Sequence, residues 1–289
     1  MTGLGLKSHF LDTVGIPLII IAVLGAVGVP RFLEVRREAR AQQELPAALL
    51  GKAPPPGGQP VSYFETDAAT KGYLAVPKGK GPFPAVLLIH EWDGLNERVR
   101  QVADALAAEG YLALAADLYS GRTGKTPEEN RALMSEARAH MERVIANLNA
   151  AARFLRARPD ATGRIAAMGW CMGGGIALSW GLGGERHEGT AIFYGRLVDD
   201  PEQLKKLNHE VYGTFGALDR GPSPAEVERF VAALRQAGIR NDVHIYDDVG
   251  HGFWLWVDQN PEKRTKPAAD AWRRLKAYLD RTLRAARSE

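Results

Sequence analysis

Two continuously apolar runs, Pro84–Ile89 (PAVLLI) and Tyr111–Ala116 (YLALAA), constrain this chain more than any other feature. Side chains alternate between the two faces of a strand, so a strand that is apolar throughout must be covered on both, as in parallel sheets. Between these runs Val99, Val102, Ala103, Leu106 and Ala107 recur at i, i+3, i+4, i+7 and i+8, an apolar stripe along one helix face. Strand, helix, strand in that order is a crossover unit. The expected fold class is therefore α/β, a mostly parallel sheet flanked by helices. An opening pair of strands is predicted near Ser62–Thr66 and Gly72–Val76, and further strands near Ile165–Trp170, Ala191–Tyr194, Val211–Gly216 and Val243–Tyr246. Pro127–Arg158 reads as a helical stretch broken once, and Ala268–Ala286 as a closing helix.

The amino-terminal part differs in kind. Val14–Val29 carries no charge, and with Leu33 and the flanking turns it approaches the span of a bilayer core of about 30 Å. Residues 14–33 are accordingly expected to be a single-pass membrane anchor, with a cleaved signal peptide and a helix packed on the soluble domain as alternatives. From Arg31 to Leu50 the charges alternate in sign, which predicts a solvated helix, and Lys52-Ala53-Pro54-Pro55-Pro56-Gly57-Gly58 reads as a spacer. The expected division is an anchor and juxtamembrane helix over 1–50, a linker over 51–59 and an α/β domain over 60–289. Arg31, Arg36, Arg37 and Arg40 against Lys7 favour a cytoplasmic domain by the positive-inside rule, while a tethered enzyme on the outer side is the alternative.

Composition narrows the chemistry. The 37 Lys and Arg residues are interspersed with 34 Asp and Glu, for a formal charge of +3, which gives no basic footprint for nucleic acid. With a single cysteine the chain forms no internal disulfide and no zinc site of several cysteines; nucleophilic catalysis by a thiol calls for neither metal nor organic cofactor.

That cysteine lies in Gly169-Trp170-Cys171-Met172-Gly173-Gly174, between a predicted strand and a predicted helix. A nucleophile on a tight strand-to-helix turn needs small residues two before and two after it, where backbones crowd. The helix start also turns N–H groups and a positive dipole end toward the reacting centre. A thiol nucleophile needs a base held by an acid, and both occur downstream: Asp219 after the strand beginning near Val211, then His251 between Gly250 and Gly252 after the last strand. Nucleophile, acid, histidine is the chain order of α/β-hydrolases.

Cysteine at the elbow, in the form G-x-C-x-G-G, resembles the dienelactone hydrolase family. His90-Glu91-Trp92-Asp93-Gly94-Leu95 and Ala116-Asp117-Leu118-Tyr119 are similar to segments of that family, so the resemblance spans about residues 83 to 253. It implies an α/β-hydrolase fold and a carboxylic ester or lactone as the small-molecule substrate. It further implies Cys171 as nucleophile, His251 as general base and acid, Asp219 as its orienter, and Glu91 as the group that pairs with Cys171. The backbone N–H groups of Met172 and Trp92 would form the oxyanion hole, and Trp254, Tyr119 and Arg122 would line the substrate pocket. Two arginines that hold a substrate carboxylate in dienelactone-cleaving members are replaced here by Leu255 and Gly121, with Arg122 beside the latter. A neutral, apolar acyl group is thus expected, because an unpaired buried carboxylate is costly. Two other readings compete with the hydrolase: an idle accessory subunit of a membrane protein complex, packed through the small residues of the anchor, and a thiol redox sensor.

Overall fold

The computed structural model describes residues 41–284. Eight strands form one sheet: β1 (Gln59–Val61), β2 (Gly72–Ala75), β3 (Phe83–Ile89), β4 (Leu112–Ala116), β5 (Ala161–Trp170), β6 (Gly189–Phe193), β7 (Glu210–Gly216) and β8 (Asn241–Tyr246). Their spatial order is β1-β2-β4-β3-β5-β6-β7-β8. The pairs β1/β2 and β2/β4 are antiparallel, and every pair from β4 onward is parallel. The helices that position the site are α1 (Glu97–Ala108), α2 (Pro127–Ala139), α3 (Met141–Arg156), α4 (Met172–Gly183), the short α5 (Pro201–Leu204), α6 (Pro224–Gln236) and α7 (Pro261–Leu283).

The apolar runs divide between two cores. Val86 and Leu88 of β3 pack with α1, α6 and α7, whereas Ala85, Leu87 and Ile89 pack with α2, α3 and α4. Alternation in β4 and β5 follows the same rule, since Ala113, Ala115, Ala166 and Met168 fall on the first face and Leu112, Leu114, Ile165 and Ala167 on the second. Helices cover both faces, and this is why the central strands carry no polar face.

The first strand lies earlier than expected, at Gln59–Val61 rather than Ser62–Thr66. Tyr63 leaves the strand direction to enter the core, where its hydroxyl donates to Asn147 Oδ1 at 2.8 Å and accepts from the Asp117 N–H at 3.0 Å. Residues 64–70 then turn, with the Asp67 N–H bonded to the Phe64 carbonyl at 3.1 Å. The broken stretch after Pro127 resolves as α2 and α3, parted at His140. The closing helix begins at Pro261, seven residues before Ala268, and runs through Pro267.

The compact unit that holds the sheet begins at Ala41, upstream of the expected boundary at residue 60. Leu45, Ala48 and Leu49 are buried in the first core instead of lying on a solvated helix. The proline-rich stretch expected as a spacer is laid along α1: Gln101 donates to the Pro54 carbonyl at 3.1 Å, and the Gly57 N–H donates to Asp104 at 2.9 Å. Alternating charge ends at Glu44, and the apolar LPAALL that follows has a hydrophobic stripe to bury, worth about 1.5–3 kcal/mol for Leu49 alone. The apolar run of residues 14–33 lies outside the described residues. Among the described residues, no helix is long and apolar enough to cross a membrane.

Candidate active site

The carboxyl ends of parallel strands are where open α/β sheets gather their sites, and three such ends meet here. β5 runs directly into Cys171, and α4 starts at the next residue. Cys171 adopts φ 53° and ψ −116°, a left-handed conformation that side-chain-bearing residues avoid, at a strain of about 1–3 kcal/mol. Its N–H donates to the Phe193 carbonyl at 2.9 Å, and its own carbonyl accepts from Gly175 at 3.3 Å. The glycines around it are sterically required: a Cβ on Gly169 would lie 2.2 Å from the Gly173 carbonyl oxygen, and one on Gly173 would lie 2.2 Å from that of Ile89 and 2.4 Å from that of His90. The elbow is thereby pressed against the end of β3, which carries Glu91 and Trp92. As the first residue of α4, Met172 has an N–H without an intrahelical partner, at the positive end of the helix dipole.

Asp219 follows β7 and His251 follows β8, and the two loops are stitched together where the Leu218 N–H donates to the Val249 carbonyl at 3.0 Å. His251 and Asp219 meet through Nδ1 and Oδ2 at 2.8 Å. A carboxylate only accepts, so the proton sits on Nδ1, and Nε2 is left for another partner. The second oxygen of Asp219 accepts from the Gly221 N–H at 3.0 Å, which fixes the carboxylate plane. Its side chain is 3% exposed against 42% for His251, so a buried anion steers a histidine that can reach solvent and substrate. Partial burial works against the imidazolium, but the hydrogen bonds with Asp219 and Cys171 outweigh it and push the His251 pKa up to about 10. Cys171 and His251 both line a cavity of about 860 Å³. A sulfur beside an imidazole whose cationic form is favoured is an arrangement for nucleophilic attack on a carbonyl.

The remaining expected residues separate. Glu91 is buried, and its Oε2 accepts from the indole Nε1–H of Trp256 at 2.8 Å; its pairing partner is this indole rather than the Cys171 thiol. Burial pushes the Glu91 pKa up to about 7, against the lowering influence of the Trp256 hydrogen bond. Trp92 and Met172 are joined through Tyr119, whose hydroxyl lies 3.1 Å from the Trp92 carbonyl, to which it donates, and 3.2 Å from Met172 Sδ. Tyr119 therefore braces the two segments from behind and does not line the cavity with Cys171. Arg122 is turned away from that cavity: it pairs with Glu136 at 2.6 Å and donates to the Tyr119 carbonyl at 3.0 Å. Trp254 is fully buried, stacked on Trp170 with centroids 6.0 Å apart and packed on Phe193 at 4.5 Å, so it is core and not pocket wall. Loop tryptophans two residues apart carry no periodicity that says which one turns inward.

Residues that sequence reasoning missed complete the wall. Tyr194, at φ 41°, follows β6 and is buried with its ring 4.9 Å from that of His251. Its hydroxyl has no hydrogen-bond partner of good geometry, and burial beside Glu91 raises its pKa well above the ordinary value. Arg196, on the same loop, and Arg138, in the last turn of α2, line the same cavity. The position of Tyr194 just past a strand's carboxyl end was the available signal. Among the described residues, no group of three or more His, Cys, Asp or Glu side chains could hold a metal ion.

The sequence profile of the dienelactone hydrolase family matches residues 70–283. A protein of Methylorubrum extorquens, provisionally named a carboxymethylenebutenolidase, is 32% identical over 226 residues, covering 74% of this chain and 77% of its own length. A protein of Escherichia coli with the same provisional name is 30% identical over 217 residues, covering 70% and 79%. Among solved structures, a provisionally assigned dienelactone hydrolase of Klebsiella pneumoniae superimposes with a TM-score of 0.67 at 26% identity, covering 77% of this chain and 98% of that one.

Proposed function

This chain belongs to the dienelactone hydrolase family and is a hydrolase of esters or lactones; from that premise we propose that it works through a triad of Cys171, His251 and Asp219. The observation that carries the reading is the 2.8 Å bond from His251 Nδ1–H to buried Asp219, in a histidine that shares a cavity with Cys171. Thiolate Sγ attacks the carbonyl carbon, and the electron pair moves onto the carbonyl oxygen. That oxyanion is met by the N–H groups of Met172 and Trp92, each worth about 3 kcal/mol in barrier. As the tetrahedral intermediate collapses, the C–O bond breaks and His251 Nε2–H protonates the leaving alkoxide, which in a lactone stays tethered to the acyl chain. Neutral His251 then takes a proton from water, hydroxide attacks the thioester, the C–S bond breaks, and the thiolate–imidazolium pair returns. Asp219 keeps the imidazole in the tautomer that leaves Nε2 toward the sulfur.

Cys171→Ala is expected to abolish hydrolysis of p-nitrophenyl butyrate, and iodoacetamide to inactivate the unmodified enzyme with one label on Cys171. Turnover by Cys171→Ala within ten-fold of the parent would overturn the triad. An idle accessory role calls for an occluded site, and the cavity beside a partly exposed Cys171 argues against it. We further propose that residues 14–33 tether the enzyme to the membrane, with its domain on the cytoplasmic side. The full chain should then sediment with membranes and a form lacking residues 1–40 should not; equal partition of the two would refute the tether.

A further inference from the structure

The expectation of a neutral substrate rested on Leu255 and Gly121, but the cavity beside Cys171 draws its charge from elsewhere. Three arginines line it, Arg138, Arg196 and Arg229, against two carboxylates, Asp199 and Glu226. The carboxylates are already engaged. Asp199 accepts from Arg229 Nε at 3.0 Å, and Glu226 accepts from the N–H and the hydroxyl of Ser223 at 2.8 Å each, as part of the cap of α6. Arg138 and Arg196, both exposed, have no ion pair or hydrogen bond through their side chains among the described residues, so two arginines line the cavity uncommitted.

Their position sets a distance from the chemistry. The Arg196 backbone lies over the first turn of α4, so close that a Cβ on Gly175 would sit 3.2 Å from Arg196 Cβ. Gly175 is four residues past the nucleophile, about 6 Å along the helix axis. Arg138 stands in the last turn of α2, a different element lining the same cavity. The same lining carries apolar side chains, among them Met141, Ile176, Leu197 and Val198. At about 860 Å³ the cavity is at the large end of the range for small-molecule sites.

On the hydrolytic reading above, we propose that this enzyme selects a bulky ester or lactone bearing an anionic group several bonds from the scissile carbonyl, with Arg196 and Arg138 holding the anion and the apolar wall holding the spacer. Arginine suits the task, since its planar fork binds carboxylate or phosphate oxygens in pairs and stays charged at any working pH. A short substrate whose anion is adjacent to the carbonyl would leave both guanidinium groups unused.

The test compares mono-p-nitrophenyl suberate, which ends in a free carboxylate, with its methyl-capped ester and with the shorter mono-p-nitrophenyl succinate. The free suberate is expected to show kcat/KM at least ten-fold above the capped ester and above the succinate. In an R138Q/R196Q double variant the ratio of free to capped should fall to within about two-fold, mainly through KM, and 0.5 M NaCl should narrow it in the parent by screening. Binding of the free and capped esters to Cys171→Ala by calorimetry reads the same preference without turnover. Equal affinities there, or a preference for succinate in kinetics, would overturn the anion subsite even if every ester is hydrolysed. Discrimination in binding with no Cys171-dependent turnover would count against the triad and support the subsite.

Discussion

Replacing Asp219 by asparagine isolates what the buried carboxylate does. Its two oxygens accept from two separate N–H donors, His251 Nδ1 at 2.8 Å and the Gly221 amide at 3.0 Å. An amide has only one acceptor oxygen, so one of those donors must face an NH₂ group. The Gly221 amide is fixed backbone whereas the imidazole can change tautomer. The oxygen is therefore expected to go to Gly221 and the NH₂ to turn toward His251. The ring then carries its proton on Nε2 and can no longer take one from Cys171. In a Ser-His-Asp triad the same exchange lowers kcat by about ten-thousand-fold, or about 5.4 kcal/mol at 1.36 kcal/mol per decade. A loss of about 10³- to 10⁴-fold in kcat/KM for p-nitrophenyl butyrate is expected for Asp219→Asn. The stability profile should change as well. In the parent, the His251 pKa is raised from 6.5 to about 10, so its stabilising contribution is complete below about pH 6.5 and is lost as pH rises toward 10. Without the carboxylate, burial opposes the imidazolium against the Cys171 interaction alone, and that loss between pH 6.5 and 10 should shrink. The assay is a pH series of kcat/KM from 5 to 10 beside denaturant midpoints over the same range. Activity within ten-fold of the parent, together with an unchanged stability profile, would refute the reasoning.

Three further outcomes follow from the packing. Gly173→Ala places a Cβ 2.2 Å from the Ile89 carbonyl oxygen and should destabilise by about 1–3 kcal/mol, with kcat reduced as the elbow and the Trp92 segment separate; an unaltered thermal midpoint with full activity would count against the close approach. Trp256→Phe removes the donor that holds down the pKa of Glu91, so ionisation should move above about 7 in a carboxylate NMR titration, and ionisation at or below 7 would show the indole to be irrelevant. Leu49→Ala should lower stability by about 2–5 kcal/mol because the side chain is fully buried, whereas a change under about 0.5 kcal/mol in denaturant unfolding would mean that residues 45–50 lie outside the cooperative unit.

The parallel sheet and the elbow were legible in the chain alone, because both rest on local rules. Strand side chains alternate strictly, so PAVLLI and YLALAA, short and apolar throughout, read as strands with helices on both faces. The glycines two before and two after Cys171 report a crowding that any strand-to-helix turn of this kind imposes. That Asp219 and His251 would meet was also readable in outline, since each follows a strand and strand ends converge at one edge of such a sheet. What surrounds them was set by long-range packing. Trp254 and Trp256 stand two apart in a turn, yet one is stacked in the core and the other holds Glu91, a choice made by what packs against the turn. Arg122 and Arg196 are equally polar loop residues in sequence, and Glu136 draws the first away while nothing among the described residues draws the second. A cavity wall is assembled from α2, α4 and the loop after β6, elements far apart in the chain, and no local pattern encodes which of their side chains will face one another.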